Sequence, residues 1–134
     1  MKPIYTGIFF DEKAYNEMNR QSSTNTLDKR IENPHITLEF KPKSLLPDEL
    51  IGLEVEVTII GEGNDGMNHG YEVIVPDALK EHYHGSLAPH ITMSIDYVAK
   101  PINTGSIDFE NRKSFSVFGK VGYFTTEGVI FNKI

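Results

Sequence analysis

Two short segments of the chain repeat one another, and each has the period-two pattern of a β-strand. Residues 34–38 read PHITL and residues 89–93 read PHITM, so four of five positions are identical and the fifth is a conservative change. Side chains at positions i and i+2 of a strand lie on the same face. Each segment is therefore expected to place a histidine and a threonine on one face and aliphatic residues on the other. The repeat indicates two half-domains that face one another across a groove.

The remainder of the chain favours strands, with two short helices. Strands are predicted over 4–10, 34–40, 53–60, 71–75, 88–97, 115–124 and 128–131. One helix is predicted after Asp11, which is a suitable cap, and the other at 76–83, where Pro76 suits a first position. The glycine-rich residues 61–70 are predicted to be a hairpin loop. With no linker or change of composition, the sequence predicts one domain over residues 1–134, of α+β class and mostly antiparallel.

Composition and charge exclude several kinds of function. The 134 residues include no cysteine, which rules out a disulfide framework, a thiolate metal cluster and a thiol nucleophile. The formal net charge of −6 argues against long duplex nucleic acid, which needs a basic protein face, and leaves a small anionic ligand open. We find no apolar run of membrane-spanning length and no signal peptide. We therefore expect a cytoplasmic protein without a membrane partner, while the oligomeric state stays open.

The side chains of the repeat suit phosphodiester chemistry. His35 and His90 titrate near neutral pH, so one can take a proton from water while the other gives one to a leaving oxygen. The hydroxyls of Thr37 and Thr92 can donate hydrogen bonds to the non-bridging oxygens of a phosphate. Such a set needs no metal and no other cofactor, and we expect neither. Which histidine is the acid and which the base stays open.

The segments PHITLEF and PHITMSI resemble the paired H-x-T signatures of the 2H phosphoesterase superfamily. The resemblance implies a bilobal fold of duplicated antiparallel sheets with flanking helices, in which the two motif strands lie side by side across a cleft. It also implies that His35 and His90 are the acid–base pair and that Thr37 and Thr92 bind phosphate. The implied activity is hydrolysis of a phosphodiester in a small nucleotide or RNA end. A 2′,3′-cyclic phosphate, a 2′-5′ linkage and a cyclic oligonucleotide all stay open as substrates.

Two aromatic residues are candidates for stacking a base. Tyr5 is at the start of the first predicted strand, and Tyr123 lies in GKVGYF, where glycines permit close approach of the backbone. Stacking on an aromatic side chain contributes roughly 1–3 kcal/mol per base. Packing in the core is the alternative for each ring.

Other polar residues near the motifs are weaker candidates. Glu39, Ser94 and Asp96 are expected at the rim of the groove, and Lys41 and Lys43 are expected to be solvated, with steering of an anion as the alternative. His69, His82 and His84 lack the defined companions of a zinc site, so no metal site is predicted.

Two further interpretations of the repeat stay open. In the first, the His-Thr groups bind the phosphate of a nucleotide or RNA without turnover. In the second, the protein has a structural or interaction role and the repeat only reflects strand chemistry.

Overall fold

A computed structural model of the chain describes residues 2–134. Met1 is the one residue of the predicted domain that lies outside the described part. The strands are β1 (Tyr5–Phe9), β2 (Lys29–Arg30), β3 (His35–Phe40), β4 (Glu54–Asn64), β5 (Asn68–Ile74), β6 (His90–Ile95), β7 (Asn111–Thr125) and β8 (Gly128–Ile130). The helices are α1 (Glu12–Gln21) and three 3-10 helices, Asp48–Leu50, Asp77–His82 and Pro101–Ser106. All strand pairs in residues 2–134 are antiparallel, which confirms the predicted α+β class.

The strands form one sheet in the order β2-β6-β5-β4-β7-β1-β3, and β8 pairs with β7 beside this path. The two long strands β4 and β7 are the central pair, and each motif strand lies two strands out from it. The sheet curves so that β3 also approaches β6. Two connecting segments bond to these strands: the Ile31 amide, just after β2, donates to the Met93 carbonyl of β6 at 3.0 Å, and the His84 amide, after the 3-10 helix Asp77–His82, donates to the Leu38 carbonyl of β3 at 2.8 Å. The two copies of the repeat therefore lie on strands that approach one another without pairing.

One face of the curved sheet packs into the hydrophobic core. The side chains that alternate toward this face are fully buried, among them Ile8, Ile36, Leu38, Val57, Ile59, Ile91 and Val121. Burying one such side chain contributes roughly 1.5–3 kcal/mol. In β3 and β6 the intervening residues are the histidines and threonines of the repeat. Core packing therefore fixes the face on which these polar side chains lie.

The helix α1 covers part of the core. Its N-cap is Asp11, whose Oδ1 accepts a hydrogen bond from the Ala14 amide at 2.9 Å, as the sequence predicts. Ala14, Tyr15 and Met18 are buried, which is the spacing of one helical face. The Tyr71 hydroxyl donates to the Met18 carbonyl and so joins α1 to β5.

The sequence prediction differs from the structure in three places. The second predicted helix is a 3-10 helix, with Pro76 as its N-cap. The strands β4 and β5 extend through most of the predicted loop, so that only residues 65–67 turn the hairpin. Neither β2 nor the 3-10 helix Pro101–Ser106 was predicted. Among residues 2–134, no helix has the length and apolar composition that crossing a bilayer requires.

Candidate active site

His35 and His90 begin their strands with the same hydrogen bond. Nδ1 of His35 lies 2.9 Å from the Asn33 carbonyl oxygen, and Nδ1 of His90 lies 2.8 Å from the Ala88 carbonyl oxygen. The acceptor is in both cases two residues before the histidine. Because a carbonyl can only accept, each Nδ1 carries a hydrogen and donates it. Nε2 of each ring is therefore the nitrogen that is left to gain or lose a proton.

The two imidazoles are close enough to influence one another. Burial lowers the pKa of His35, the hydrogen bond to Asn33 opposes this, and the positive charge of His90 lowers the pKa further. Burial also lowers the pKa of His90, against the opposing effect of its bond to Ala88. A state with both rings charged is therefore disfavoured. This property suits a pair in which one ring accepts a proton and the other donates one.

Aromatic rings support the His35 imidazole. The Tyr5 ring stacks on it with centroids 4.8 Å apart, and the Phe9 ring centroid is 5.7 Å away. The Tyr5 hydroxyl lies 3.5 Å from Nδ1 of His35, and burial raises the pKa of Tyr5 to about 12. Tyr5 is thus at the site and holds His35 in place. That a base also stacks on Tyr5 stays a prediction.

The two threonines of the repeat are in different states. Thr37 is half-buried, and its hydroxyl makes no side-chain hydrogen bond within residues 2–134, so it can donate to a ligand. Thr92 is only 7% exposed, and its Oγ1 lies 2.9 Å from both the Pro101 carbonyl oxygen and Thr104 Oγ1. A hydroxyl has one hydrogen to donate. In this structure that hydrogen of Thr92 is used inside the protein.

A buried network holds the Thr92 hydroxyl. The Asn68 amide donates from Nδ2 to the Lys100 carbonyl at 2.8 Å and to Thr104 Oγ1 at 3.1 Å. Because Thr104 accepts from Asn68, its own hydrogen can go to Thr92, and that of Thr92 can go to Pro101. The network ties the 3-10 helix Pro101–Ser106 to β6. Neither Asn68 nor Thr104 carries a sequence signal for this role, since their proximity depends on long-range packing.

A glycine lies across the sheet from each motif threonine. Gly7 pairs with Thr37 and Gly70 pairs with Thr92, and each glycine directly follows a register shift in its strand. A Cβ atom on Gly7 would come 2.7 Å from the Ile36 carbonyl oxygen, and one on Gly70 would come 2.2 Å from that of Ile91. A side chain at either position would therefore displace a motif strand. Glycine within a strand pattern is the sequence signal that could have found Gly7, whereas Gly70 falls in the stretch predicted to be a loop.

Tyr123 does not lie at the site. Its side chain is 1% exposed, it packs in the core, and its hydroxyl oxygen accepts the Leu46 amide at 3.1 Å. Burial raises its pKa. A base cannot reach this ring in the structure. Of the two alternatives for Tyr123, base stacking and core packing, the structure shows core packing. Its alternation with Val117 and Val121 on β7 is a sequence signal that favours the core.

The polar residues expected near the rim of the groove differ in their burial. Ser94 is fully buried and accepts the Leu27 amide at 2.9 Å, so its expected place at the rim is wrong. Glu39 and Asp96 are half-buried, while Lys41 is exposed, as expected, with its Nζ 5.6 Å from the Phe40 ring centre. Lys43 is exposed as well.

His69 belongs to a buried polar cluster and not to a histidine site. Its Nε2 lies 2.7 Å from a Glu62 carboxylate oxygen, and its Nδ1 lies 3.1 Å from Ser94 Oγ. Burial raises the pKa of Glu62, but hydrogen bonds from His69, Ser22 and the Ser23 amide outweigh it and lower the pKa to about 2. The cluster joins the loop after α1 to β4, β5 and β6. Within residues 2–134 no three histidine, aspartate or glutamate side chains converge as metal ligands.

No family model matches the chain, and none of the curated proteins has a significantly similar sequence. Function is therefore inferred from the chemistry of the site.

Proposed function

We propose that this protein is a phosphodiesterase of the 2H type, which hydrolyses a phosphodiester in a small nucleotide or at an RNA end without a metal ion. One observation carries the proposal. His35 and His90 start two strands that approach one another, each Nδ1 donates to the carbonyl two residues before it, and the charge of His90 lowers the pKa of His35. The phosphodiester that is hydrolysed is a cyclic 2′,3′-phosphate, a 2′-5′ linkage or a linkage in a cyclic oligonucleotide.

In the proposed reaction water attacks phosphorus in line with the leaving oxygen. Nε2 of one histidine takes the proton of the water as the new P–O bond forms. Nε2–H of the other histidine gives its proton to the leaving oxygen as the old P–O bond breaks. Each proton transfer of this kind typically accelerates a reaction by about 10²- to 10⁴-fold. The two rings exchange protons with solvent before the next turnover.

Thr37 stabilises the phosphate in this mechanism. Its hydroxyl is available to donate to a non-bridging oxygen, whose charge changes in the transition state. The protonated histidine supplies the positive charge next to the same phosphate. These groups provide the charge stabilisation that a metal ion gives in other phosphodiesterases.

Matched local structure supports a duplicated, bilobal 2H fold as part of the proposal. The strands β7-β1-β3 and β4-β5-β6 have the same order, and a helix joins the second strand to the third in each set: α1 in one, and the 3-10 helix Asp77–His82 in the other. In each set a glycine pairs with the motif threonine. A chance repeat of four residues would not explain why the strand order and the paired glycine also match in the two sets.

The test is hydrolysis by the purified protein in the presence of a chelator. The panel contains nucleoside 2′,3′-cyclic phosphates, 2′-5′ oligonucleotides and cyclic oligonucleotides. His35→Ala and His90→Ala should each lower kcat by at least about 10²-fold while the far-ultraviolet circular dichroism is unchanged. His84→Ala is the matched control and should retain activity, since the His84 side chain is exposed and the residue bonds β3 only through its backbone amide, which alanine keeps. Full activity of both site variants would disprove the proposal.

A phosphate-binding module without turnover is the second candidate. The engaged hydroxyl of Thr92 favours it, because one of the four groups of the repeat is already satisfied inside the protein. Nucleotide binding that depends on His35 and His90, together with no cleavage of any substrate in the panel, would establish it.

A further inference from the structure

A pocket of about 290 Å³ is bordered by Asn33 and Pro34, the residues just before His35. Its lining includes Phe9, Asn33, Pro34, Phe118, Lys120 and Phe131. Two of these residues also contact the imidazole: the Phe9 ring is 5.7 Å from it between centroids, and the Asn33 carbonyl accepts its Nδ1–H. The pocket and the His35 side of the candidate site therefore share a wall.

The aromatic wall of this pocket is held in position. Phe131 is 36% exposed and meets Phe9 edge to face at 6.1 Å. Its ring also lies over Gly122, where a Cβ atom would come 2.7 Å from the ring. The absence of a side chain at Gly122 thus lets the Phe131 ring pack closely against β7. Phe118, which is 55% exposed, adds a second aromatic surface.

Charge decides which part of a nucleotide suits the pocket. Lys120 Nζ lies 5.1 Å from the centre of the Phe131 ring, while two acidic residues, Glu54 and the helix cap Asp11, are also among the lining residues. The carboxylates would repel a phosphate but accept hydrogen bonds from amino groups. Exposed aromatic rings offer stacking surfaces to a planar group. The pocket is therefore suited to an uncharged, planar, amino-bearing ring.

We propose that this pocket binds the nucleobase attached to the scissile phosphodiester and prefers a base with an exocyclic amino group. This inference rests on the proposed function. The base stacks on the Phe131 side of the pocket, and its amino group donates to a carboxylate of the lining, as cytosine N4 does to glutamate or aspartate in nucleic-acid recognition. A volume of about 290 Å³ accommodates one base and not a whole dinucleotide.

The first test compares cytidine and uridine 2′,3′-cyclic phosphate, which differ at the exocyclic group and the adjacent ring nitrogen. The wild type should hydrolyse the cytidine compound with a kcat/KM about tenfold higher than the uridine compound, since one hydrogen bond to a charged group changes affinity by about this factor. Glu54→Ala should reduce the preference, whereas Glu56→Ala, an exposed carboxylate on the same strand that does not line the pocket, should keep it. Equal rates for the two substrates in the wild type would overturn the preference.

The second test removes the aromatic wall. Phe131→Ala should raise KM for both substrates by about fivefold or more and change kcat little, because stacking acts on binding. Phe40→Ala is the matched control: Phe40 is also exposed and also has a lysine over its ring, but it does not line the pocket. If Phe131→Ala and Phe40→Ala give the same KM as the wild type, the base binds elsewhere while the phosphodiesterase activity stands.

A binding experiment separates this inference from the proposed function. Cytidine, which has no phosphate, is titrated into ¹⁵N-labelled protein. Shifts concentrated at the amides of Gly122 and Phe131 support the pocket even if no substrate is hydrolysed. An absence of shifts at these amides, together with unchanged KM in Phe131→Ala, rejects the pocket.

Discussion

Gly105 lies directly against the imidazole of His90. A Cβ atom at position 105 would come 2.8 Å from Nδ1 and 2.9 Å from Cε1 of that ring, and the Gly105 carbonyl accepts the Ala88 amide at 3.3 Å. The 3-10 helix Pro101–Ser106 thus supports His90 from one side, as the Tyr5 ring supports His35. Each imidazole is held by its own part of the fold.

We predict that Gly105→Ala moves the His90 ring and lowers kcat/KM by about tenfold or more. Overpacking at such a contact costs about 1–3 kcal/mol and forces the ring or the helix to shift. Steady-state kinetics and thermal unfolding check the result. Ser106→Ala, a change of the exposed neighbour on the same helix, is the control and should leave both quantities unchanged. Wild-type activity in Gly105→Ala would show that the position of His90 does not depend on this contact.

The sequence predicted the elements that local chemistry determines. Period-two alternation located the motif strands and their polar faces, because a one-residue shift would expose Ile36 and Ile91 to water. Asp11 as a helix cap is a contact between residues three apart, and it was predicted for that reason. The repeat also led to the prediction that its two copies face one another, and β3 and β6 do approach.

What the sequence did not predict depends on contacts between distant residues. The strands β4 and β5 continue through a glycine-rich stretch because Glu62 and His69 are buried there with hydrogen-bonding partners, which a local pattern does not show. The state of Thr92 depends on Thr104, twelve residues away on a helix that was not predicted. The identical motifs gave no indication that their two hydroxyls differ.

That difference predicts different results for the two threonines. Thr37→Ala should lower kcat/KM by about tenfold with little change in the free energy of unfolding, since its hydroxyl has no partner within residues 2–134, and Thr37→Ser should restore activity. Thr92→Val should lower the free energy of unfolding by about 1–3 kcal/mol, because it leaves buried partners unsatisfied. Urea unfolding and kinetics measure both effects. A large loss of activity in Thr92→Ser without loss of stability would contradict this assignment.

Stability should fall as the pH is lowered through the range in which histidine titrates. Burial lowers the pKa of His35 and His90 below the value of 6.5 that applies to the unfolded chain. Between the folded and unfolded pKa values the unfolded state binds more protons. The free energy of unfolding is therefore highest above pH 6.5 and decreases as the pH falls toward the folded-state pKa values. The contribution of Glu62, with its pKa of about 2, is lost only at lower pH, between about 4.5 and 2.

The measurement for this pH effect is urea unfolding at pH 8 and pH 5.5. The wild type should lose more free energy of unfolding between these pH values than His35→Gln does, because the variant lacks one of the two titrating groups. An identical pH dependence in wild type and His35→Gln would show that His35 does not have a lowered pKa in the folded protein.

Phosphate binding should reverse the lowered pKa values of the two histidines. An anion between the rings favours their charged forms and offsets the mutual repulsion that lowers the pKa of His35. We therefore expect inorganic phosphate to raise the pKa of both His35 and His90, and to bind more tightly at pH 6 than at pH 8. NMR titration of the imidazole Cε1–H signals, with and without phosphate, measures the pKa of His35 and of His90. If phosphate moved neither site histidine, the two imidazoles would not share an anion, and the chemistry proposed for them would lose its basis.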